Sequence, residues 1–250
     1  MLTHYELPLN ERIRTLLRLE FLFKQAAYSL RGLSVWDSRF TISTLLEISN
    51  VIGRIDIHSE LSKELIRQKN AISSLSSVAG VDKQVLQQTI ALFDAHLHEL
   101  NHRTTKTEYD SELLKVIQQR DAIPGGSCDF DIPIYHFWLN LPAEQRIHQL
   151  EIWLNLFNHF DKAITLILNT LRDSSILKPI STSDGFYQQS LNSKSPYQLI
   201  RVGLPTQVPY YPELSGGKHR FSIRFMQTDK QNKASAVTSP VDFHLACCLL

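Results

Sequence analysis

At 250 residues, with 43% hydrophobic and 20% charged side chains, the chain has enough sequence for one large domain or two modest ones with buried cores, which excludes disorder as its default state. Twenty-six basic residues against 25 acidic ones leave a formal charge of +1, so no net field recruits nucleic acid or anionic lipid and any electrostatic recognition has to be local. No apolar run approaches the roughly 18 residues of a membrane span, no basic-then-apolar leader opens the chain, and Cys128, Cys247 and Cys248 lack metal-ligand spacing. The expectation is a cytoplasmic protein without direct membrane insertion, disulfide, metal or cofactor.

The opening HYELPL has possible strand character, and Asn10 then stands as the N-cap of a helix over NERIRTLLRLEFLFKQAAYSL. Ile13, Leu16, Leu17, Leu19, Leu22, Phe23 and Ala26 cover more than one face of it, as in a helix packed among others, while Arg14 and Arg18 keep one side basic. Helical periodicity recurs at about 41–53, 57–76, 82–101 and 108–120, and the IPGG at 123–126 ends that run. Pro142 opens a helix carrying Ile147, Leu150, Leu154 and Phe157, and another with Ile164, Leu168 and Leu171 runs to about Asp173. Beyond it the period changes to short runs punctuated by Ser, Pro and Gly: GFYQQS, YQLIRVGL, HRFSIRFMQ and VDFHLACC. In HRFSIRFM, Phe221, Ile223 and Phe225 form one face and Arg220, Ser222 and Arg224 the other; in VDFHLAC the inward set is Val241, Phe243, Leu245 and Cys247. The fold class is α+β: a mainly α-helical domain over 1–175, whose residues 1–9 can pair with the C-terminal sheet, followed by a small antiparallel β-sheet or barrel-like domain over 176–250.

The segment PGGSCDFDIPIYH, residues 124–136, holds the inventory of a thiol or metal site. Cys128 would need His136 as its base, yet nothing in the spacing demands that they meet. Asp129 and Asp131 are too few for calcium, which takes six to eight oxygens, and Asp131 is better read as the cap of the next helix. His136, beside Phe137 and Trp138, reads as packed rather than catalytic. Arg220 and Arg224 are the sharper feature. Four apart on a strand, they stand on one side about 13 Å from each other, with Lys218 and His219 adjacent, a positive strip suited to carboxylates.

Taken together, LPLNERIRTLLRLEFLF, IPGGSCDFDIPIYHFWLNLP, GFYQ, YPELSGGKHRFSIRFM and DFHLACC resemble the ZapD family of bacterial cell-division proteins, in the family's order and across residues 6–248. The resemblance implies a helical domain and a β domain assembled as a homodimer. It implies a non-enzymatic protein at the midcell division site that binds the C-terminal tail of the tubulin-like protein FtsZ, cross-links and bundles its filaments and stabilises the Z ring. Carried over residue by residue, Arg18, His136, Arg220 and Arg224 match basic positions implicated in FtsZ recognition or bundling. Arg120 joins them by proximity, with Arg14, Lys115, Lys218 and His219 as additional candidates. Glu112 departs from the pattern, since a relative's arginine falls there.

Two other readings make different demands. A cysteine-dependent hydrolase would use Cys128 and His136, and a nucleic-acid-binding module would use the basic β-domain face, against a near-neutral charge and no RNA-binding aromatic signature.

Overall fold

The computed structural model describes residues 1–54, 56–78, 80–102, 111–121, 123–192 and 194–250. Compactness divides the chain at Leu17/Arg18 and Leu166/Ile167, giving one unit of Arg18–Leu166 and another of Met1–Leu17 with Ile167–Leu250. The sequence expectation placed its single boundary after residue 175, where helix gives way to strand.

Helices fill the first unit. α1 (Glu11–Ser29) starts where the Asn10 side chain accepts the Ile13 amide at 2.9 Å, the expected N-cap. α2 (Val35–Arg54) begins earlier than the periodicity suggested, because Ser34 and Asp37 form a capping box: the Asp37 carboxylate accepts the Ser34 amide at 3.0 Å, and the Ser34 hydroxyl accepts the Asp37 amide at 3.1 Å. The Ser34 hydroxyl, which also donates to that carboxylate, and the Ser34 amide together hold the Asp37 carboxyl below its ordinary range. Asp56 caps α3 (Ile57–Ser73), and Asp82 accepts from the first turn of α4 (Lys83–His102). Ion pairing of Lys69 with Asp94 joins these two helices at 2.5 Å. α5 (Glu112–Asp121) occupies the end of the expected 108–120 helix, of which residues 108–110 lie outside the described residues.

α6 (Pro133–Leu139) and α7 (Ala143–Asn155) are locked together by aromatic stacking, with Trp138 5.9 Å from Trp153, and by Arg146. This arginine is only 5% exposed. It donates to the Ser38 hydroxyl and to the backbone carbonyls of Leu33, Leu139 and Leu141. α8 (Asn158–Asp173) follows a short turn through Phe157, which is buried there.

Strands build the other unit. β1 (Leu2–Pro8), β2 (Lys178–Thr182), β4 (Tyr197–Pro205) and β8 (Val241–Leu249) form an antiparallel sheet in the order β1-β4-β8-β2. The second sheet has β3 (Phe186–Ser190), β6 (Arg220–Thr228) and β5 (Tyr210–Gly216) in that order, with β7 (Ala234–Ala236) also on β6. The two antiparallel sheets are not closed into a barrel. β1 lies in full register on β4, from Leu2 opposite Pro205 to Pro8 opposite Leu199.

Phe221, Ile223 and Phe225 of β6 pack with Ile200, Val202, Val241, Phe243 and Leu245 in one core, as alternation requires of a half-buried strand. β8 departs from simple alternation. Cys247 is only half-buried against this core, whereas Ala246 and Cys248, on the other face of the strand, are fully buried. That face is polar at Glu6, which lies opposite Arg201 and receives Arg172 from α8 through bonds of 2.9 Å to each carboxylate oxygen. Arg201 completes the cluster, its Nε 3.2 Å from the Glu6 carboxylate.

Replacing Arg146 with Leu should lower the unfolding free energy by about 3–5 kcal/mol, since it strands buried acceptors, and Lys should rescue little because one ammonium cannot reach all four. Urea titration of the three proteins measures this. Burial pushes the Cys248 thiol up to about 12. Iodoacetamide at pH 8 should therefore leave Cys248 unmodified in the native protein and label it after unfolding, as read by peptide mass spectrometry.

Candidate functional site

The β-unit candidates lie on one strand. Because Phe221, Ile223 and Phe225 are buried, Arg220, Ser222 and Arg224 are turned to the opposite face of β6, where both arginines are exposed. Among the described residues neither pairs with a carboxylate; Arg224 lies with its Cζ 5.9 Å from the ring centre of Phe186. Gly216, Gly217, Lys218 and His219 form the tight turn into β6, closed by the Gly217 amide on the Arg220 carbonyl at 3.0 Å. A side chain at Gly216 would press against the Phe221 and Arg220 backbone, so glycine there lets the turn set the register of the strip. Lys218 and His219 are exposed on that turn, next to Arg220.

In the helical unit His136 and Arg120 have another character, because carboxylates answer them. His136, read from the sequence as packed, is instead exposed on α6, with Nδ1 3.3 Å from an Asp129 carboxylate oxygen and Nε2 3.4 Å from the Asn140 amide nitrogen. Arg120, at the end of α5, approaches Asp131 at 3.9 Å. Asp131 is thus not the cap expected of it: Ile132 occupies the N-cap of α6, no side chain bonds to that end, and Pro133 removes one amide that would have needed a partner. Arg18 is exposed on α1 with no hydrogen bond or ion pair to Arg120 or His136 among the described residues. Arg14 bonds Glu11 at 3.2 Å, and Lys115 is exposed one turn after the exposed Glu112.

Arg39 was not among the expected residues, and it organises this region. Its guanidinium donates to the Ser127 carbonyl at 3.0 Å and to Asp129, and it lies 4.8 Å from the ring centre of Tyr135 and 5.6 Å from that of Trp36. Burial, opposed by Arg39 and reinforced by Asp129, pushes the Tyr135 phenol up to about 12, so the phenol stays protonated. An open pocket of about 540 Å³ is lined by Trp36, Arg39, Phe40, Ile117, Asp121 and Tyr135 among others. The local SVWD pattern carried a helix-start signal, but the 88-residue reach from Arg39 to Ser127 had none.

The segment 124–136 is therefore a clamped turn. Gly125 supplies a positive φ of 71°, and Gly126 sits where a Cβ would collide with the Arg120 carbonyl. Both ring nitrogens of His136 face Asp129 and Asn140 rather than the Cys128 thiol, so the hydrolase reading lacks its thiol–imidazole contact among the described residues. No group of three or more metal-ligating side chains occurs among the described residues, and no described helix is long and apolar enough to cross a membrane.

Comparison with known proteins supplies the biological setting. The family model described as ZapD, cell division protein, matches residues 17–224. The chain is 39% identical over 249 residues to the cell division protein ZapD of Methylococcus capsulatus, with 98% of each chain covered. A match of that extent, over the helices and strands that carry both sets of basic residues, shows that the chain belongs to the ZapD family of cell division proteins.

Proposed function

We propose that this cell division protein is a non-enzymatic adaptor that binds the C-terminal tail of FtsZ, cross-links and bundles FtsZ filaments as a homodimer, and so stabilises the Z ring at midcell in the cytoplasm. The observation that carries the reading is the pair Arg220 and Arg224: two exposed guanidinium groups without a carboxylate partner among the described residues, on a strand whose alternate side chains are buried. A rigid strand holds them at a fixed spacing, and guanidinium groups suit carboxylates of an acidic tail. Lys218 and His219 extend the strip. Arg18, Arg120 and His136 are the helical-unit contacts in this reading, with Lys115 of that unit and Arg14 of the other as additional candidates.

Cross-linking needs at least two equivalent sites and no chemistry, which a two-fold dimer supplies. A tail that orders on binding loses conformational entropy, so each contact is modest and many along neighbouring filaments act together. The partner is thus a protein tail, with neither nucleic acid nor an inserted membrane segment in the scheme.

Arg220→Glu together with Arg224→Glu should reduce co-sedimentation with GTP-assembled FtsZ by about ten- to a hundredfold in affinity at roughly 0.15 M salt, while circular dichroism and thermal unfolding stay unchanged. FtsZ lacking its C-terminal tail should fail to recover the wild-type protein. Undiminished recovery of the folded double mutant removes the strip from the site, and recovery on tailless filaments removes the tail.

A further inference from the structure

Strand register arranges the outer face of the β3-β6-β5 sheet into rows. Arg224 of β6 lies opposite both Phe186 of β3 and Glu213 of β5, so ring, guanidinium and carboxylate share one row. The next row places Gln188, Ser222 and Ser215 side by side. An open trough of about 460 Å³ is lined by Phe186, Glu213, Leu214, Ser215, Ser222 and Arg224.

Opposite charges at directly facing strand positions, on strands about 4.8 Å apart, ordinarily pair with each other. Here they do not. Arg224 lies over Phe186, and among the described residues the Glu213 carboxylate has neither a hydrogen bond nor an ion pair. The trough therefore presents a guanidinium and a carboxylate of opposite sign, both exposed, with Ser222 and Ser215 in the row beside them.

A plain basic strip would accept any polyanion. We infer that Glu213 makes this face selective for a peptide segment carrying both an acidic and a basic side chain, the acid held by Arg224 with Arg220 and the base by Glu213, with an apolar side chain over Phe186. The inference rests on the proposed reading of the β6 strip as a peptide site. A segment carrying acids alone meets the Glu213 carboxylate as a like charge, whereas one with both charges satisfies each group of the row; discrimination comes from the repulsion as much as from the attraction. Glu213 is a specificity-determining residue on this account, and Arg224 supplies affinity for both ligand types.

The test uses fluorescence anisotropy with fluorescein-labelled synthetic peptides of equal length, all carrying the same Asp and Leu residues, with either a single Lys or a single Gln walked along the remaining positions. Wild-type protein should bind the best Lys peptide about two- to fivefold more tightly than its Gln twin, as expected of one exposed charge pair. Glu213→Gln, a near-isosteric change at an exposed position, should abolish that preference by weakening the Lys peptide while leaving or tightening the Gln peptide. No preference in the wild type at any position, or an equal effect of Glu213→Gln on both peptides, overturns the inference. Arg224→Gln separates the two levels. If it weakens both peptides and Glu213→Gln does not discriminate, only the role of Glu213 fails. If it changes neither, the β6 strip is not the peptide site.

Discussion

A buried guanidinium governs the architecture of the helical unit. Among the described residues Arg146 has no carboxylate acceptor; it is satisfied by the carbonyls of Leu139 and Leu141 at the end of α6, by the Leu33 carbonyl before α2, and by the Ser38 hydroxyl within α2. A charge taken out of water without such partners is prohibitive, so α7, the entry to α2 and the exit of α6 have one arrangement that satisfies it. The carbonyls at the end of a helix are a natural seat for a cation. Trp36 and Arg39 follow from one side of this junction and Tyr135 from the other, which is how residues nearly a hundred positions apart reach one pocket.

The β unit meets a comparable requirement with an ion cluster. Glu6, on the first strand of the chain, is held by Arg172 and Arg201, all three side chains being under a fifth exposed. Breaking one partner of such a cluster leaves an uncompensated charge in a place of low polarity, which fixes where β1 must lie on β4. With β1 in place, β4 has a neighbour on each side and is buried on both faces at Leu199, Ile200, Val202 and Leu204. β6, on the other sheet, then has a firm hydrophobic backing through Phe221, Ile223 and Phe225, and its outward residues are left to the solvent.

Local signals in the sequence carried much of this. The Asn10 cap, the helix ending at Asp173, the change of period after it and the alternation of β6 each arise from neighbours within a few residues, where capping and periodicity act. What escaped depends on distant partners. β2 and β5 contain prolines and few consecutive apolar residues, so their strand character comes from pairing with β8 and β6 rather than from pattern. The inward set of Val241, Phe243, Leu245 and Cys247 rested on alternation with one wet face, an assumption that fails where Ala246 and Cys248 are buried as well. Arg220 and Arg224 were legible as a strip, since strand geometry alone sets their side and spacing. Arg39 and Glu213 were not, because a clamp between α2 and a loop beyond α5, and a row across three strands, exist only in the register of the fold.

The two groups of basic residues differ in what a ligand must displace. At His136 and Arg120 an incoming carboxylate competes with Asp129 and Asp131, which already stand at 3.3 and 3.9 Å, so it exchanges one exposed carboxylate contact for another at little net gain. At Arg220 and Arg224 it replaces water. The strand also fixes their positions before binding, which lowers the entropy lost on association. In the proposed reading, affinity for an acidic segment is therefore concentrated on the β6 face. In the same reading, His136 and Arg120 respond instead to whatever loosens the 127–131 turn, because it releases them from Asp129 and Asp131.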